Sequence, residues 1–387
     1  MRVLLTTAGF PPAYLGGGPI RTISAMLSAA PASHETFVLT SNHDLGRLER
    51  LVEENSTWRR VGTARVLYVD RGPAAWIRAV RRGLREDPDV VYVNSLFSPQ
   101  FSLATIALVR LSRYRPALVI APRGELSPGA LAIKSRKKAT FLAMLRRTRA
   151  FSRVLWHAST PIEAGHIRDV FGPGARIIVR EDDTGLPLRA DRPGPVAREG
   201  RRPLNMVFMS RLARIKGLHV LLQALAAVDE AVDLCVVGPE EDPDYARECH
   251  DLASHLPAHI RVRFLGAVPH ERIRATLGEF DVMALPTAGE NFGHVIPEAL
   301  SVGCPLILTD TTPWTPVIRS HGAGVILVNQ EPSRWAAAIA DYARRGSDGW
   351  SAKRQAAAGA YDAWRATQVQ PHFFDMLDRA LEDARAD

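Results

Sequence analysis

Cysteine is scarce: Cys235, Cys249 and Cys304 are the only three in 387 residues, and none stands at metal-ligand spacing. That argues against a disulfide framework and a cysteine-based zinc site, and it fits a reducing compartment, the cytoplasm. No apolar run approaches the ~20 residues of a membrane span. A secretory leader is not expected, because MRVLLTT at 1–7 runs into GFPPAYLGGGP without a small-residue cleavage site. There is no GxGxxG turn followed by an acid about 20 positions on, which disfavours a nicotinamide dehydrogenase. Nucleic acid is not an expected partner either, since the basic residues are not interleaved with stacking aromatics and no binding motif is present. Acid is missing between Glu125 and Glu163, while Lys134, Arg136, Lys137, Lys138, Arg146, Arg147, Arg149 and Arg153 crowd that stretch with Phe141, Leu142, Met144 and Leu145 among them. A basic amphipathic helix over 134–153 is expected to meet an anionic membrane surface.

What is present describes an ordinary soluble protein of two domains, 46% hydrophobic and 23% charged. Charge is uneven. Residues 1–190 hold 28 Lys and Arg against 15 Asp and Glu, a net of +13, and the remainder holds 21 against 26, a net of −5. The first half is therefore suited to an anionic partner.

Short β-rich runs alternate with segments of helical period. Strands are expected at 3–7, 36–39, 90–93, 118–121, 154–157 and 176–179, with helices at 20–30, 76–84, 101–113 and 137–147 between them. The segment RADRPGPVAREGRRP at 189–203 reads as a linker. Strands then resume at 206–209, 234–237, 262–265, 282–285, 306–308 and 325–328. This is βαβ repetition twice over, so the expected fold is α/β, with two Rossmann-like, doubly wound parallel sheets facing each other across a cleft. The expected division is 1–190, a linker at 191–203, and 204–365. A C-terminal helix at about 366–387, bearing Phe373 and Phe374, should pack back on the first domain.

Three motifs follow strands. Gly16-Gly17-Gly18-Pro19 permits close backbone approach before a helix. SRLARIKG at 210–217 brings cations to a strand-to-helix junction, where a diphosphate could sit. ENFGHVIPE at 290–298 sets Glu290 and Glu298 on either side of a helix start, because Pro297 is tolerated only in a first turn. Carboxylates accept from hydroxyls, so two of them flanking an anion site suit a ribose–pyrophosphate–sugar layout. His157 reads as a core histidine, Thr160–Glu163 as a capping box, and the acidic run Glu181-Asp182-Asp183 as a solvated loop.

SRLARIKG followed by PTAGENFGHVIPEALSVGCPLILTD closely resembles the family-4 retaining glycosyltransferases of the GT-B fold, over roughly 205–312; GGGP, APRGEL and the C-terminal aromatic helix extend the likeness more loosely. The resemblance implies that Arg211 and Lys216 neutralise the donor diphosphate and that Glu298 holds the ribose hydroxyls. It implies that Glu290 holds the transferred sugar, aided by Asn291 and the backbone of Phe292, Gly293, His294 and Val295. Gly17 and Gly18 would line the cleft from the first domain. No metal or cofactor is implied, because the cations and a helix N-terminus do that work. Two positions depart from the pattern. Many members carry a His after the fifth strand of the first domain, where this chain has Arg123, a candidate donor or acceptor contact. The usual Asn-Gly turn near the end of that domain is replaced by the acidic run. The implied activity is sugar transfer from a nucleotide-diphosphate sugar to an acceptor hydroxyl with retention, in polysaccharide, glycolipid or other glycoconjugate synthesis. The acceptor would be a carbohydrate, a lipid-linked group or a small metabolite. The enzyme would be cytoplasmic, with peripheral contact at the inner face of the cell membrane. The alternatives are an inactive nucleotide-sugar-binding scaffold and an epimerase of the same fold.

Overall fold

The computed structural model describes residues 1–53, 57–132, 142, 151, 153–191, 202–345, 347–368 and 370–386. The expected helix at 137–147, almost all of the basic segment 134–153 and most of the linker lie outside them. The chain forms two units, Met1–Gly185 with Gln370–Asp387, and Leu186–Val369.

Unit 1 is built on eight strands: β1 Arg2–Thr6, β2 Glu35–Ser41, β3 Arg59–Val61, β4 Ala64–Val69, β5 Val90–Asn94, β6 Ala117–Ala121, β7 Val154–Ala158 and β8 Arg176–Val179. They are ordered β3-β4-β2-β1-β5-β6-β7-β8, parallel throughout except for the β3–β4 pair. That antiparallel pair was not expected. Its signal is the short turn Gly62-Thr63, with Gly62 at φ +59, between the charged run Arg59-Arg60-Val61 and the apolar run Val66–Val69. The central strands read as unbroken apolar runs because both sheet faces are covered. Leu4, Val91 and Val93 face one core, with Trp76, Val80 and Ile167 from helices Pro73–Leu84 and Pro161–Phe171. Val3, Leu5 and Tyr92 face the other, with Ile23 and Met26 of helix Gly18–Ser28 and Phe373, Phe374 and Leu377 of helix Phe373–Ala386. The expected helix at 101–113 is a π-helical turn, Pro99–Ala104, running into helix Thr105–Leu111.

Unit 2 has six parallel strands: β9 Leu204–Met209, β10 Val232–Val237, β11 Ile260–Gly266, β12 Val282–Leu285, β13 Leu306–Thr309 and β14 Gly324–Leu327, in the order β11-β10-β9-β12-β13-β14. One continuous core joins their side chains to Trp335, Tyr342, Trp350, Tyr361 and Trp364. Leu186–Asp191 lies with this unit because Tyr361 OH donates to Pro187 O at 2.6 Å and Arg365 donates to Leu186 O at 3.1 Å. Among the described residues no helix is long and apolar enough to cross a membrane.

The helix from Phe373 is tied to unit 1 by aromatic burial: Phe373 is fully buried and stacks on His157 at 4.0 Å. Phe373→Ala should cost about 3–5 kcal/mol in urea unfolding, and Phe373→Leu distinctly less; equal, small effects would show that the helix is not held this way.

Candidate active site

Each sheet reverses its strand order once, between β1 and β5 in unit 1 and between β9 and β12 in unit 2. In open parallel sheets, ligands gather beyond the carboxyl ends of the strands flanking such a point. In unit 2 the flanking loops are 210–217 and 286–294, which are the two motifs read from the sequence.

The first loop leaves β9, buries Leu212 and tightens into a 3-10 turn, Arg214–Lys216, before helix Leu218–Leu225. Gly217 joins the two at φ +76, and a Cβ there would lie 2.0 Å from Pro286 O. So close an approach of backbones fixes Lys216 beside the second loop. Ala288 N–H donates to Ile215 O at 2.8 Å and Glu290 N–H to Thr311 O at 3.3 Å, tying that loop to its neighbours on both sides. Phe292 is buried against Trp314, ring centroids 5.4 Å apart, and Trp314 Nε1 donates to Phe292 O. Gly293 then turns at φ +79 into helix Val295–Ser301, with His294 at the N-cap position.

These contacts set Lys216 Nζ 2.6 Å from Glu290 Oε1, with the two side chains 13% and 9% exposed. One of the three ammonium N–H groups makes this bond, which leaves two directed elsewhere. Arg211 does not join the pair; it meets Glu241 at the surface. Glu298 is buried in the first turn of its helix, and His270 Nδ1 lies 3.6 Å from its Oε1. His270 went unread in the sequence. It begins the helix His270–Gly278 that follows β11, and position after a strand was the available signal.

In unit 1, the backbone N–H groups of Tyr14 and Leu15 donate to the buried Asp44 carboxylate, at 2.9 and 3.2 Å, which steadies the approach to Gly16–Gly18. Gly17 caps helix Gly18–Ser28 at φ +67. At the ends of β5 to β8 stands a buried polar cluster. Arg123, itself at φ +54, ion-pairs with Asp182, and both side chains are nearly inaccessible. Its guanidinium also donates to Asn94 Oδ1 at 2.8 Å, Ser159 Oγ at 3.1 Å and Tyr92 OH at 2.7 Å. Tyr92 OH meets His157 Nδ1 at 2.7 Å, and His157 Nε2 meets Arg180 O at 3.1 Å. The acidic run is therefore not a solvated loop. Asp182 is buried because Arg123 needs a counter-charge, and Asp183 pairs with Arg180 at 2.9 Å. The capping box at Thr160 is half made. Thr160 Oγ1 accepts from Glu163 N–H, but the Glu163 carboxylate accepts from Ser159 N–H at 2.7 Å and Gly124 N–H at 2.6 Å, so it braces Arg123's own turn. Burial raises the Glu163 pKa against these two bonds. His157 is the core histidine expected: burial first, then the Arg123 charge, push its pKa down to about 3.

The family model for glycosyl transferases group 1 matches residues 197–358. D-inositol 3-phosphate glycosyltransferase of Xylanimonas cellulosilytica is 30% identical over 293 residues, 71% of this chain and 62% of that protein. The chain covers less than two thirds of the length of this and the other first relatives it matches. Sucrose-phosphate synthase of Thermosynechococcus elongatus superposes with a TM-score of 0.74 at 17% identity, covering 99% of each chain. Anabaena HepE in complex with UDP-glucose superposes with a TM-score of 0.72 at 19% identity over the whole of both chains. The fold is GT-B.

Gly217 makes a close backbone approach to Pro286 in the candidate site. Gly217→Ala should lose more than about 2 kcal/mol in urea unfolding, from positive-φ strain plus the clash with Pro286 O. Gly322→Ala has the same hand of backbone but open space, and should lose only about 1 kcal/mol; equal losses would show that the close approach is relaxed. In unit 1, the stability gained by keeping His157 neutral is complete above the ordinary imidazole pKa near 6.5 and declines as pH falls toward 3, by about 1.4 kcal/mol per pH unit. His157→Gln should flatten the slope of stability between pH 6.5 and 5, and an unchanged slope would count against a neutral, buried ring.

Proposed function

We propose that the protein is a retaining, family-4-like glycosyltransferase that moves a sugar from a nucleotide-diphosphate sugar to an acceptor hydroxyl. The carrying observation is the Lys216–Glu290 pair, 2.6 Å apart at the reversal point of the second sheet. A cation and an acceptor-only carboxylate side by side match the junction of the donor, where phosphate oxygens adjoin sugar hydroxyls. Lys216 keeps two N–H groups for the diphosphate while still holding Glu290. Arg211 is the second candidate cation. Its pairing with Glu241 is a surface ion pair worth only about 0–1 kcal/mol, so a diphosphate can draw it away. Glu298, buried with His270 beside it, is assigned to the ribose, and the backbone from Asn291 to Val295 to the donor. The HepE structure with UDP-glucose makes that donor the first to try. Gly17 and Gly18, beyond the carboxyl end of β1, are assigned to substrate contact by the same rule for open sheets.

The sugar–phosphate bond lengthens toward an oxocarbenium-like state while Lys216 and Arg211 take up charge on the departing diphosphate. The acceptor hydroxyl attacks on the face the diphosphate leaves, and a departing phosphate oxygen takes its proton, so the configuration is retained. This reading uses no metal. Lys216→Ala should slow transfer roughly 10- to 150-fold, the worth of a charge-assisted bond of ~1.5–3 kcal/mol. Combined with Glu290→Gln it should slow transfer by less than the product of the two single effects, because the residues share one interaction. Unchanged transfer in a folded Lys216→Ala protein would remove the diphosphate assignment.

Peripheral attachment to an anionic membrane is part of the same proposal. In addition to the basic segment 134–153 of the sequence, helix Pro73–Leu84 and its cap expose Arg78, Arg81, Arg82 and Arg85 on one face, opposite buried Trp76, Ala79, Val80 and Leu84. Each cation near such a surface is worth ~1 kcal/mol. Vesicles containing phosphatidylserine should pellet the protein at low salt, and Arg78→Gln/Arg81→Gln/Arg85→Gln should weaken this at least tenfold; an absence of pelleting at low salt would end the membrane proposal.

A further inference from the structure

Arg123 and Asp182 are the two places where the sequence leaves the pattern of the family it resembles, and they meet as one buried ion pair. The pair is unusually well bonded. Four N–H···O bonds occupy the guanidinium, reaching the ends of β5 (Tyr92, Asn94) and the turn after β7 (Ser159) as well as Asp182 after β8. Ser159 Oγ closes a ring by donating to the same Asp182 oxygen at 2.9 Å. The other Asp182 oxygen points a different way: Thr22 Oγ1 lies 3.0 Å from it and 3.2 Å from Gly18 O. Thr22 is one turn inside helix Gly18–Ser28, whose cap is Gly17. Asn94 Nδ2 adds a bond to Thr7 Oγ1, at 3.3 Å, on the strand side of the same glycine loop.

A buried, hydrogen-bonded guanidinium is poorly placed to leave for a substrate phosphate, since each bond broken would strand a buried partner. We propose that Arg123 and Asp182 are positioning residues, which through Thr22 fix helix Gly18–Ser28 and the Gly16–Gly18 loop against the carboxyl ends of β5 to β8. The geometry alone carries this fixing of the loop; that the loop then serves a substrate rests on the function proposed above. A charge pair suits the task because it is directional: Asp182 offers one oxygen to Arg123 and the other to Thr22, and an apolar pair of the same volume would hold neither in register.

Hydrogen exchange of the full-length chain tests it. Thr22→Val removes one hydroxyl and keeps the shape. It should speed exchange of the amides of residues 22–28 roughly 2- to 10-fold, the worth of one hydrogen bond, and leave helices Pro161–Phe171 and Leu218–Leu225 unchanged; Thr22→Ser should restore the original rate. Arg123→Met should speed exchange throughout unit 1, because it strands the Asp182 charge. Arg123→Met/Asp182→Leu should recover the general protection but not that of residues 22–28. Unaltered exchange in residues 22–28 with Thr22→Val, or recovery of those residues in the double variant, would overturn the proposal. Thermal stabilisation of the wild-type chain by a panel of nucleotide-diphosphate sugars, UDP-glucose first, reports separately on donor binding, so failure of every donor would sink the transferase reading and leave this one standing on the exchange data.

Discussion

A cation and a carboxylate held almost out of water either satisfy each other completely or wait for a third partner. In the function proposed here, Lys216 and Glu290 belong to the second kind. The ammonium spends one N–H on Glu290, and the pair stands where a parallel sheet leaves backbone and side chains directed outward, at the reversal between β9 and β12. Partial desolvation strengthens whatever charge arrives next, because the field of the ammonium is less screened than at the open surface. The remainder of the second unit serves this placement. Gly217 brings two loops to backbone contact, the Ala288–Ile215 bond locks them, and Phe292 under Trp314 stops the second loop from lifting.

The first unit holds a buried pair of the opposite character. Arg123 and Asp182 are bonded to neighbours from several strand ends, and such a network rigidifies when every member is bonded. The contrast separates two uses of the same chemistry. In the proposed function the sparsely bonded pair meets a ligand, whereas the richly bonded pair is a brace. His157 completes the brace in the uncharged state that burial imposes, accepting from Tyr92 at one ring nitrogen while the other faces Arg180 O. Glu163 extends it to the turn of Arg123 itself.

Much of the fold was legible because parallel strands covered on both faces leave a plain mark. Val90–Val93 and Leu306–Leu308 are apolar without interruption, and a helical period follows each such run. The edge strand β3 was not legible, since Arg59-Arg60-Val61 has no apolar run to show, whereas β4 beside it carries the buried run Val66–Val69 and could have been read. The loops of the candidate site were legible as motifs because glycine, proline and charge at a strand end have few other reasons to coincide. What charge meets what was not. Arg211 and Lys216 look equivalent in the sequence, yet one faces Glu241 at the surface and the other Glu290.

The amino-acid order by itself determined the two βαβ series, the helix starts at Gly17, Gly217 and His294, and the strand-end position of each motif, because periodicity, capping and positive-φ glycines act over a few residues. Only the tertiary structure decided the ion pairs. Lys216 and Glu290 are 74 residues apart and Arg123 and Asp182 are 59 apart. Contacts at such separations arise from strand order, which brings the carboxyl ends of non-consecutive strands together. An acidic run that looks like solvated loop becomes the buried counter-charge of an arginine once β8 lies at the edge beside β7.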